Sequence, residues 1–109
     1  MDDTGHIVVF ITAGTETEAQ RIRDILLQTR QAACVNILPK INSAYWWQGQ
    51  IESAEEHLLT VKTKASRLGA LIDLVKRNHS YGVPEIIALP IMGGNPDYLA
   101  WIDKEVCEE

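Results

Sequence analysis

The chain has 109 residues and a mass of 12.2 kDa, which is one domain spanning 1–109 with enough surface to bury that no disulfide or metal staple is needed. Ten basic against fifteen acidic residues leave a net charge of −5, which argues against nucleic acid and anionic membranes as partners, because both attract basic surfaces. With 46% hydrophobic residues, no apolar run of membrane-spanning length and an acidic opening unlike a secretory leader, the composition predicts an ordered cytoplasmic protein.

The run His6 to Ala13 is almost continuously apolar and rich in Val, Ile and Phe, the signature of a strand buried on both faces. Gly14 ends it. Thr15 to Glu18 then form a capping box, with the Thr15 hydroxyl on the backbone three residues on and Glu18 reaching back. Ala19, Ile22, Ile25 and Leu26 continue at helical spacing to about Arg30. Ala32 to Leu38 reads as a second strand, interrupted at Pro39 and resumed from Ile41 through Trp47. A two-residue turn at Gln48-Gly49 returns the chain along Ile51 to Thr63, with Leu59, Val61 and Thr63 on one face. So long a hairpin projects past its own domain, and its tip aromatics need a partner surface. Ser66 is placed to cap a second helix with its stripe at Leu68, Leu71, Ile72 and Val75, stopping at Asn78. After a loop at 80–84, Glu85 to Ile91 is the last strand. Asn95 caps a third helix that has Pro96 in its first turn.

The order strand–helix–strand–strand–helix–strand plus a C-terminal helix predicts an α+β, ferredoxin-like βαββαβ domain. It places two helices on one face of an antiparallel sheet and leaves the other face without a helix. An uncovered apolar face and a protruding aromatic hairpin together predict self-association.

Few local motifs carry chemistry. No dinucleotide fingerprint, P-loop or nucleophile elbow occurs, and the loop after the first strand has no arginine to hold a phosphate. His6 is expected in solvent and His57 in a cross-strand polar contact. His79 is either a charge at a helix C-terminus or a metal ligand. Cys34 is expected to face the core. Cys107 lies near the chain end, and a reducing compartment predicts free thiols. Glu55 and Glu56 face opposite sides of their strand. Lys62 needs an anionic partner, for which Glu56, Glu85 or a neighbouring subunit are the candidates.

The segment Ala33-Cys34-Val35-Asn36-Ile37-Leu38-Pro39, then Tyr45-x-Trp47-x-Gly49, Glu56 six residues before Lys62-Thr63, His79-x-Tyr81-x-x-Pro84-Glu85, and Gly94-Asn95-x-x-Tyr98-Leu99-x-Trp101 together resemble the CutA divalent-cation tolerance family from Ile7 to about Val106. The resemblance implies a cytoplasmic, ferredoxin-like homotrimer similar in architecture to PII regulatory proteins, linked to tolerance of copper and other divalent cations, and not an enzyme. It implies that Tyr45, Trp47, Glu56, Lys62, Tyr81 and Glu85 line clefts between subunits, with His79 as the candidate metal ligand. The chain departs from the family pattern where Ser80 replaces a proline. Of the positions proposed for copper in bacterial members, Ile11, Asn78 and His79 here, only His79 is a metal-binding type. Direct binding of Cu(II) or another divalent cation is therefore expected to be weak. Two other functions fit the same cleft: a regulatory trimer that binds a small anionic metabolite opposite Lys62, and an enzyme built on His79, Tyr81 and Glu85.

Overall fold

The computed structural model describes residues 4–106. Strand β1 (His6–Ala13) is followed by helix α1 (Glu16–Gln28), strands β2 (Cys34–Trp47) and β3 (Gln50–Lys64), helix α2 (Leu68–Arg77), strand β4 (Ile86–Pro90) and helix α3 (Pro96–Glu105). The strands form one antiparallel sheet in the order β2-β3-β1-β4, the arrangement that the ferredoxin-like order requires.

Alternation along β1 decides the two faces. Ile7, Val9, Ile11 and Ala13 point to one side and join Leu59 and Val61 of β3, Ala19, Ile22 and Leu26 of α1, and Leu71 and Val75 of α2 in a single core. Each large aliphatic side chain buried in this way contributes about 1.5–3 kcal/mol, which is what fixes the strand register. Leu74 of α2 packs against this core alongside Leu68, a position the sequence stripe had given to Ile72.

The capping box forms with one shift. The Thr15 hydroxyl accepts from the Glu18 N–H at 3.1 Å, but Glu18 Oε1 reaches Gly14 N–H at 3.3 Å instead of the cap residue's own amide. Helix α1 stops at Gln28, short of Arg30. Arg30 adopts φ 60°, and Gln31 N–H bonds the Leu26 carbonyl, a left-handed C-terminal cap. Ser66 does not cap α2. It lies inside a 3-10 turn (Ala65–Arg67), and no side chain caps the helix that follows. Asn78 does stop α2, and its side-chain amide donates to the Leu74 carbonyl at 2.8 Å.

The opposite face of the sheet is not bare, as the sequence had suggested. Helix α3 covers the end where β1 and β2 begin. His6 points to this side, is buried, and bonds Asp103 of α3 at 2.8 Å, so the expectation of a solvated histidine fails. Arg30 ties the end of α1 to Glu105 at 2.7 Å. Cys34 also lies on this face, half-buried at the first residue of β2. Its thiol is 3.8 Å from Asn36 Oδ1 and beside Tyr98 of α3, so it is not a core residue. Burial, together with the Cys34 thiol, pushes the Tyr98 phenol up. The predicted Cys107 lies outside the described residues.

Farther along the same face the sheet is uncovered, and Leu38, Ile87 and Leu89 remain exposed. There the β2–β3 hairpin leaves the sheet. Pairing is interrupted between Leu38 and Ile41, where Lys40 takes φ 59° and its N–H meets His57 Nδ1 at 3.4 Å, and it resumes from Ile41 opposite Glu56 to the turn. The interruption expected at Pro39 is a bulge, in a strand that is also the sheet edge, and the cross-strand role of His57 agrees with the sequence. Gln48 and Gly49 both have positive φ, 51° and 81°, the twist that a two-residue hairpin turn needs. Trp46 faces Ile51 and Tyr45 faces Glu52, as a turn without a bulge predicts.

Candidate functional site

Strand alternation builds one wall. Ser43, Tyr45 and Trp47 of β2 share a face with Glu56 of β3, while Trp46 and Ile51 point to the other side. The second wall is the loop between α2 and β4, which carries Tyr81, Gly82, Val83 and Glu85. Between them lies an open cavity of about 800 Å³, floored by Thr12 at the end of β1.

The loop is held from beneath. The His79 side chain is fully buried. Its Nε2 donates to the Thr12 carbonyl at 2.7 Å, and its Nδ1 accepts the Tyr81 N–H at 3.0 Å, so the two partners assign the tautomer. Glu18 is buried below the loop and accepts from Ser80 N–H at 2.6 Å and from the Ser80 hydroxyl at 3.1 Å. Burial raises the Glu18 carboxyl, but the Ser80 bonds, the neighbouring His79 and the Gly14 N–H together bring it below the ordinary value. A proline at position 80 would supply neither Ser80 bond, so this chain's departure from the family pattern is also what docks its loop.

Tyr81 crosses from the loop to the hairpin. Its hydroxyl donates to Glu56 Oε2 at 2.8 Å, and its ring lies 4.8 Å from that of His79. The phenol is pushed up to about 12, first by burial and then by the bond to Glu56 and its charge. Gly14 makes the approach possible, because a Cβ there would stand 3.0 Å from the Tyr81 hydroxyl.

The structure thus gathers Tyr45, Trp47, Glu56, Tyr81 and Glu85 around one cavity within a single chain. Lys62 is not among them. It lies six residues along β3 from Glu56, about 20 Å at strand rise, and its ammonium bonds Asn36 Oδ1. The expected pairing of Lys62 with Glu56 or Glu85 is therefore corrected to a neutral carbonyl partner.

His79 sits behind Tyr81 and not at the cavity wall. Both of its ring nitrogens are engaged, so an ion would reach one only by breaking the bond to Thr12 or to Tyr81. Its carboxylate neighbour is Glu18, with Nδ1 3.7 Å away, and not Glu85. Among the described residues no group of three or more His, Cys, Asp and Glu side chains is arranged for a metal. With Ile11 in the core and Asn78 spent on the end of α2, the residues do not fit a copper site at this place. Sequence reading missed Glu18 and Thr12 as parts of the site. The capping-box reading explained Glu18 completely, and Thr12 contributes a backbone carbonyl, which no side-chain pattern reveals.

The family model described as "CutA1 divalent ion tolerance protein" matches residues 7–105. The rice protein "Protein CutA 1, chloroplastic" is 46% identical over 94% of this chain, which spans 58% of that protein's length. The "Divalent-cation tolerance protein CutA" of Archaeoglobus fulgidus is 46% identical over 93% of this chain and 98% of its own. The crystal structure of CutA1 from Oryza sativa superposes with a TM-score of 0.94 at 44% identity, covering 98% of each chain. The chain belongs to the CutA1 divalent ion tolerance family.

Proposed function

We propose that this chain supports divalent-cation tolerance as a binding and signalling homotrimer, and not as an enzyme. The observation that carries the reading is the apolar surface a single chain leaves open. At the hairpin Trp46 is 72% exposed, Trp47 55% and Ile51 67%, and the uncovered sheet face presents Leu38, Ile87 and Leu89. Large exposed apolar patches of this kind mark interfaces, and three copies related by rotation close them. The cavity walled by Tyr45, Trp47, Glu56, Tyr81 and Glu85 then lies beside that interface.

The site's chemistry favours binding over catalysis. Tyr81 holds its proton toward Glu56 far above neutral pH, and both His79 nitrogens are committed to backbone partners. A regulatory trimer for an anionic metabolite gains no support either, because no lysine or arginine lines the cavity and Lys62 stands at the other end of the strand. Direct binding of Cu(II) or Zn(II) is weak in this reading, because only oxygen donors such as Glu85 stand at the cavity. The cytoplasm remains the proposed compartment, although the rice relative is named chloroplastic.

The test is complementation. Cells stripped of their own family member are grown in graded copper(II) sulfate with and without this chain. The reading predicts that wild type raises the tolerated concentration and that Tyr81→Phe raises it less. Equal growth with and without the chain overturns it.

A further inference from the structure

The end of α2 carries a pattern that the cavity does not use. Lys76 and Arg77 close the helix, both exposed, and Ser80 follows at an exposed loop position. Arg77-Asn78-His79-Ser80 is the one place in the 109 residues where an arginine stands three residues before a serine or threonine. Cations in the last turn suit the helix dipole, but that role asks nothing of position 80. Basic residues at a fixed distance ahead of a hydroxyl are also how one large class of protein kinases selects its target. Ser80 does not border the cavity, and its hydroxyl is turned to Glu18 of α1. Lys76, Arg77 and Ser80 therefore sit with the helical layer, across the sheet from the uncovered face at Leu38, Ile87 and Leu89.

The contacts of Ser80 define what a phosphate there would do. Its hydroxyl donates to Glu18 Oε1 at 3.1 Å and its N–H to Oε2 at 2.6 Å. Glu18 is 4% exposed. A phosphate in place of the hydroxyl proton removes that donor and brings a charge of about −1.5 to −2 at pH 7. One hydrogen bond becomes a like-charge contact with a buried carboxylate. The cation beside this carboxylate is Arg21, 3.7 Å from Glu18 Oε2, more than half exposed and donating to the Asn78 carbonyl at 3.0 Å. It offers the phosphate an exposed partner. Repulsion and attraction then act in the same direction and draw Ser80 off Glu18. The segment that moves includes Tyr81, whose hydroxyl bonds Glu56 at 2.8 Å.

We infer that Ser80 is a phosphorylation site for a serine/threonine kinase that selects an arginine three residues before its target, and that the phosphate unfastens the loop at 79–85 from Glu18. In the transfer the Ser80 hydroxyl oxygen bonds the γ-phosphorus of ATP and the bond from that phosphorus to the β-phosphate oxygen breaks. ADP leaves, and the hydroxyl proton passes to the catalytic base of the kinase. The switch belongs to this chain and not to the family pattern, because a proline at position 80 has no hydroxyl to modify. It goes beyond the proposed tolerance role and rests neither on that role nor on the number of subunits.

The test incubates the full folded chain with magnesium ATP and the catalytic subunit of cyclic-AMP-dependent protein kinase, an arginine-directed enzyme. The phosphate is located by fragmentation mass spectrometry and the fold is checked by circular dichroism. Release of the loop is read by NMR as amide exchange at Ser80 and Tyr81. One phosphoryl group on Ser80 is the expected result, and Arg77→Ala should slow its incorporation at least tenfold. Lys76→Ala should slow it about threefold and keeps the test valid if Arg77→Ala fails to fold. In the phosphorylated chain both amides should exchange at least tenfold faster, whereas Ser80→Ala, which keeps the amide bond to Glu18, should change them less. No phosphate on Ser80, incorporation only after heat unfolding, or equal rates for wild type and Arg77→Ala each overturns the site. Unchanged amide exchange in the phosphorylated chain overturns the switch.

Discussion

Ser80 and Glu18 show how a single departure changes what a loop rests on. A hydroxyl and an amide, both donating to one buried carboxylate, fasten the segment that presents Tyr81 and Glu85. Hydrogen bonds to charged groups contribute about 1.5–3 kcal/mol, so Ser80→Ala, which keeps the amide bond, should cost about 1–2 kcal/mol in chemical denaturation. The Glu18 carboxyl lies below its usual 4.5, so its contribution is complete above that pH and disappears as pH falls through the lowered value. Acid destabilisation should therefore be shallower in Glu18→Gln than in wild type, and parallel curves would contradict the loop-fastening role. Tyr81 acts at the other extreme. Its phenol is raised from 10.0 to about 12, so its stabilisation is whole below pH 10 and is lost as pH rises toward 12. Denaturation of wild type and Tyr81→Phe across that interval should show the steeper loss in wild type.

The long hairpin was legible almost to the residue. Pro39 announced the interruption, Gln48-Gly49 the turn, and period-two alternation the separation of Trp46 from Trp47. What the sequence concealed came from contacts between distant elements. Cys34 looked like a core residue because its neighbours are apolar, but helix α3 covers the other face and makes that face half-buried too. His6 looked solvated until Asp103 arrived from 97 residues away. In the site, Tyr45, Trp47, Glu56, Tyr81 and Glu85, which the family resemblance named for clefts between subunits, border one cavity of the single chain. Lys62 shares their strand but not their end of it, and motif order carries no such distance. The bulge offers its own test. Lys40 occupies the left-handed region at φ 59°, where a non-glycine residue costs about 1 kcal/mol. Its N–H, the group that meets His57, survives substitution by glycine. Lys40→Gly should therefore leave stability unchanged or raise it by up to about 1 kcal/mol in thermal or denaturant unfolding. A clear loss would show that the lysine side chain holds the bulge.

At the scale of the molecule, one chain spans 44 × 31 × 22 Å, long for its mass because the hairpin extends past β1. A projecting two-stranded arm with exposed tryptophans is the surface on which the proposed assembly rests. Trp46 shares a strand face with Ile51 and Trp47 shares the opposite one with Tyr45, and both tryptophans border the cavity. Trp46→Ala should weaken assembly by about 2 kcal/mol or more, as truncation of a buried aromatic anchor does. Trp47→Ala, on the opposite strand face, should weaken assembly by a clearly different amount. The most direct measurement of the account is the mass of the wild-type chain by multi-angle light scattering at micromolar concentration, followed down a dilution series. The account predicts the mass of three 12.2-kDa chains, held on dilution in wild type and lost earlier in Trp46→Ala. A wild-type mass of one chain throughout would contradict it.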